Sequence, residues 1–68
     1  MARFEQYEIC AQNGEKWELS SAFHDFDVAS AVARARSTRV RLMLVTYVDG
    51  EAVETHVIAE IGGLREHP

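Results

Sequence analysis

The sequence predicts an α+β domain of ββαββ order: a four-stranded antiparallel sheet, strand order 2-1-3-4, with one helix packed on one face. Three observations carry this. Two N-terminal segments alternate apolar and polar residues around Gly14. An alanine-rich run follows an aspartate able to cap it, and Val40 to Val48 is β-prone on both faces before an Asp49-Gly50 turn.

The first strand is expected over Phe4 to Ala11, where Tyr7, Ile9 and Ala11 are apolar at every second position. The second is expected over Lys16 to Phe23, with Trp17, Leu19 and Phe23 set against Glu18 and Ser20. A two-residue Asn13-Gly14 turn would send the two apolar sets to opposite faces. A three-residue loop, Gln12-Asn13-Gly14, instead sets Ile9 opposite Trp17 and Tyr7 opposite Leu19, with Gly14 at the left-handed position. The pattern therefore predicts the longer loop.

Asp25 is placed to cap a helix, Asp27 puts negative charge in its first turn, and Ala29 to Ala35 favours helix. A helical wheel puts Phe26, Val28, Ala29, Val32 and Ala35 on the buried face and Asp27, Ser30, Arg34 and Ser37 on the other. After the helix, Val40 to Val48 and Glu51 to Ile61 form a hairpin expected to pair Val40 with Ala59, Leu42 with Val57 and Leu44 with Thr55. A right-handed crossover places the third strand beside the first, at the centre of the sheet, which suits its two apolar faces. Residues 1–61 are expected as a single domain and 62–68 as a flexible C-terminal tail.

A chain of 68 residues buries little core, and one cysteine, Cys10, allows no internal disulfide, so a cytoplasmic setting is expected. The opening residues lack the apolar core of a signal peptide, and Leu42 to Val45 falls far short of the roughly 20 residues that cross a bilayer. No membrane association is expected. A net charge of −4 makes a nucleic-acid partner unexpected.

Cys10, His24, His56 and His67 lack the spacing of a metal site, and no metal or other cofactor is expected. Ser20, Ser21, His24 and Asp25 are near one another in sequence, but no nucleophile elbow accompanies them. The helix is entered by bulky and acidic residues, not by a glycine-rich phosphate loop. No catalytic residue is named, and a non-enzymatic role is expected.

Two features remain. Arg34, Arg36, Arg39 and Arg41 hold four of the seven basic residues and form a candidate basic patch for phosphate or nucleic acid. The simpler account is a capped helix end with a solvated edge, since no aromatic residues interleave the arginines. On the sheet face that the helix leaves open, Met43, Val45, Tyr47, Ala52, His56 and Ile58 form a candidate interface, with His56 expected opposite Met43. The expected function is a small protein-interaction module that forms a homodimer and docks to another protein. The alternative is a nucleic-acid- or phosphate-associated protein using the arginines.

Tyr7-Glu8-Ile9, Gly14-Glu15-Lys16-Trp17-Glu18, Phe26-Asp27-Val28-Ala29-Ser30-Ala31 and Asp49-Gly50-Glu51 together resemble a group of short bacterial proteins. Those share a tyrosine strand, a glycine–tryptophan hairpin and an alanine-rich helix. The resemblance implies the strand–helix order and a bacterial cytosolic setting, and it carries no activity and no site residue.

Overall fold

The computed structural model describes residues 2–36 and 38–61. Two hairpins flank one helix: β1 (Arg3–Asn13), β2 (Lys16–Phe23), α1 (Phe26–Ala35), β3 (Val40–Val48) and β4 (Glu51–Ile61). The sheet is antiparallel throughout, in the order β2-β1-β3-β4, as the sequence predicts. The expected tail, 62–68, lies outside the described residues.

The Asp25 carboxylate accepts from the Asp27 N–H at 2.8 Å, which fills the cap position and starts the helix. Ala29 is buried and Val32 packs against the core as expected, but the helix's buried stripe is Ala29, Ser30 and Ala33, which corrects the rest of the predicted face. Phe26 and Val28 are 42% and 45% exposed, Ala35 is exposed, and Ser30, expected outside, is buried. The reason is steric: only small side chains let the helix backbone settle close to the sheet. Beneath it lie Ile9, Val40 and Leu42, with Tyr7, Ala11, Phe23, Val32 and Ile61 around them.

Both hairpin registers depart from expectation. Asn13 pairs with Lys16, so the first loop is the two residues Gly14-Glu15, with Gly14 at φ 67°. Glycine at the first of two loop positions is the type II′ pattern, whose twist matches that of the strands. Trp17 therefore faces Gln12 and Leu19 faces Cys10; neither meets its predicted partner. A bulge at Ser20 then restores the parity, so Phe23 pairs with Tyr7 on the helix side.

The second turn, Asp49-Gly50, forms as predicted, both residues having positive φ (52° and 87°). Two bulges in β4, at Val53 and Ile58, shift the ladder beyond it. Val40 pairs with Ile61, Leu42 with Ala59 and Leu44 with His56, not with Ala59, Val57 and Thr55. A bulge spends an extra residue and turns the following side chains to the other face. Two in one strand reverse only the segment between them, so Ala59 stays on the helix side while Val57 leaves it.

Candidate functional site: the sheet face opposite the helix

Side chains directly opposite one another in adjacent strands share a face. The registers therefore assign the face away from the helix to Trp17 and Leu19 of β2, Phe4, Gln6, Glu8 and Cys10 of β1, Arg41, Met43, Val45 and Tyr47 of β3, and Ala52, Thr55, Val57 and Glu60 of β4. Of the candidate interface residues, Met43, Val45, Tyr47 and Ala52 lie here. His56 does not: it is opposite Leu44 on the helix side, and its expected place beside Met43 is taken by Val57. Ile58 is the bulge residue itself and is 40% exposed.

Sequence reasoning missed Trp17, Leu19, Val57 and Phe4 because a regular ladder would have turned the first three inward. Leu19 is 60% exposed, Val57 48% and Phe4 44%. Phe4 stacks on Tyr47, centroids 5.0 Å apart, and meets His24 edge-on at 6.5 Å. Val45, by contrast, is only 3% exposed although no helix covers it.

A polar network lies among these apolar groups. Glu8, 7% exposed, accepts at Oε2 from the Tyr47 hydroxyl and from Gln6 Nε2, the latter at 2.8 Å. The bond to the Glu8 carboxylate favours the protonated phenol and raises the Tyr47 pKa. Cys10 is half-buried; desolvation, with Glu8 adding to it, pushes its thiol pKa up, away from reactive thiolate behaviour.

The candidate basic patch is divided. Arg34 lies in the last helical turn, and Arg36 donates to Ser21 Oγ at 3.3 Å on the helix side. Arg39 and Arg41 converge instead on Glu60. Arg41 donates through Nε and Nη2 to Glu60 Oε2 at 3.2 and 2.9 Å, and Arg39 Nη2 to Oε1 at 3.0 Å. Arg41 chiefly, with Arg39 adding, holds the Glu60 carboxyl below its usual range against an opposing desolvation.

Charge is sorted between the two sides. Among the described residues the open face carries Arg39 and Arg41 against Glu8 and Glu60, which balance in formal charge. Glu5, Glu18, Glu51 and Glu54 pair with residues on the helix side, and the chain's excess of −4 lies away from the open face. Among the described residues no group of three His, Cys, Asp or Glu side chains could hold a metal, and no helix is long and apolar enough to cross a membrane. No family model, curated protein or solved structure matches the chain.

Proposed function

We propose that this chain is a non-enzymatic interaction module that self-associates as a homodimer through the open sheet face and docks to another protein. The observation that carries the reading is that face itself: exposed Leu19, Val57 and Phe4 around half-buried Trp17, Met43 and Tyr47, on a surface free of net charge. Two copies of a −4 chain repel through their acidic sides, and an electrically balanced face is where that repulsion is least.

One further feature favours face-to-face contact. Every bulge, at Ser20, Val53 and Ile58, falls on an edge strand, and bulges disrupt the ladder needed for edge-to-edge sheet extension. The nucleic-acid alternative gains no support, because Arg39 and Arg41 are held on a carboxylate.

The test is Val57→Glu, which charges the open face at an exposed position, against Val28→Glu on the helix. Light scattering after size exclusion should show a wild-type dimer, a monomer for Val57→Glu and a dimer for Val28→Glu. A wild-type monomer at high micromolar concentration would overturn self-association.

A further inference from the structure

Among the described residues, Glu8 is the charged one most removed from water, and one of its oxygens is engaged. Oε2 takes both the Tyr47 and Gln6 donors, while Oε1 receives none from the described residues. A carboxylate taken out of water is costly unless donors replace its hydration. Among the described residues the formal cations of the same face are Arg39 and Arg41, and within one chain both serve Glu60.

These two arginines are not equally committed. Arg41 makes two hydrogen bonds to Glu60 and lies over Trp17, whereas Arg39 makes one and is 51% exposed. Arg39 can leave Glu60 without stranding it, since Arg41 remains.

Resting on the self-association proposed above, the geometry points to a twofold dimer in which Arg39 of each copy donates to Glu8 Oε1 of the other. Glu8 is opposite Met43, and Arg39 stands four residues before Met43, about 13 Å along the strand direction. A twofold axis lying between the sheets and crossing the strands over the Cys10–Arg41 row exchanges these two positions. Each pair then brings one surplus arginine to one under-donated carboxylate, twice, as an isologous contact requires. The same axis brings Cys10 close to its twin.

The experiment is a charge exchange read by analytical ultracentrifugation. Arg39→Glu alone sets like charges against Glu8 at both contacts, and Glu8→Arg alone sets arginine against arginine. Each should weaken dimerisation at least about tenfold. Mixed in equal amounts, the two variants should form a heterodimer in which both contacts are again of opposite sign. Should Glu8→Arg not fold by circular dichroism, the Arg39→Glu, Glu8→Gln double variant takes its place and should recover dimerisation relative to Arg39→Glu. A wild-type monomer would remove the self-association on which this rests. A wild-type dimer indifferent to Arg39→Glu, or a weakened one that neither mixing nor the double variant restores, would overturn the pairing and leave self-association standing.

Discussion

Arg41 lies over the indole of Trp17 across the intervening strand β1, its Cζ 4.1 Å from the ring centroid, while its guanidinium also holds Glu60 on β4. One side chain thus joins three strands across the open face. The first hairpin is what makes this possible, because its two-residue Gly14-Glu15 loop, unlike the three-residue loop expected, turns Trp17 to that side. A double-mutant cycle of Trp17→Leu and Arg41→Met should give a coupling of about 0.5–1 kcal/mol by urea unfolding. A coupling near zero would mean that the stack adds nothing to stability.

Glu60 makes part of that stability dependent on pH. Its carboxyl is held low by Arg41 and then Arg39, so its contribution is complete above the usual glutamate range and fades as pH falls through its lowered folded value. Wild type should exceed Glu60→Gln in melting temperature at neutral pH, and the gap should close in acid. A gap that widened on acidification would contradict this sign.

Tyr47 titrates in the opposite sense. Its raised pKa means that its contribution is present below the usual phenol value and is lost as pH climbs through the folded one. In an ultraviolet titration of the two tyrosines, Tyr47 should ionise late. Glu8→Gln removes the carboxylate acceptor and should bring it down, whereas an unmoved titration would assign the shift elsewhere.

Gly14 adopts φ 67° with no neighbouring atom within 4 Å of an added Cβ. Gly14→Val should therefore cost about 1 kcal/mol or more through backbone strain alone. Chemical denaturation will show whether the loss is there.

Ala33 is fully buried between helix and sheet. Ala33→Leu should force the helix away from Ile9 and Leu42 and cost about 1–3 kcal/mol, seen as a fall in melting temperature. No loss would mean that the helix seat has slack.

The element order and the sheet order were legible in the sequence because each rests on local chemistry. Asp25 caps, Asp49-Gly50 turns, Gly14 takes a left-handed backbone, and β3 is apolar on both faces because it is central. The candidate site was legible only in part. Met43, Val45, Tyr47 and Ala52 were placed correctly because β3 runs without a bulge, and Ala52 is paired before the first one in β4.

Tertiary structure alone decided the sides taken by Trp17, Leu19, His56 and Val57 and the division of the arginines. Alternation in a sequence reports that a strand has two faces, but the two-residue Gly14-Glu15 loop set the side of Trp17 and Leu19, and a single extra residue at Val53 or Ile58 changes which face the following positions of β4 occupy. On the open face Trp17 meets Arg41, which is 24 residues away in sequence and across one intervening strand, beyond the reach of any local pattern.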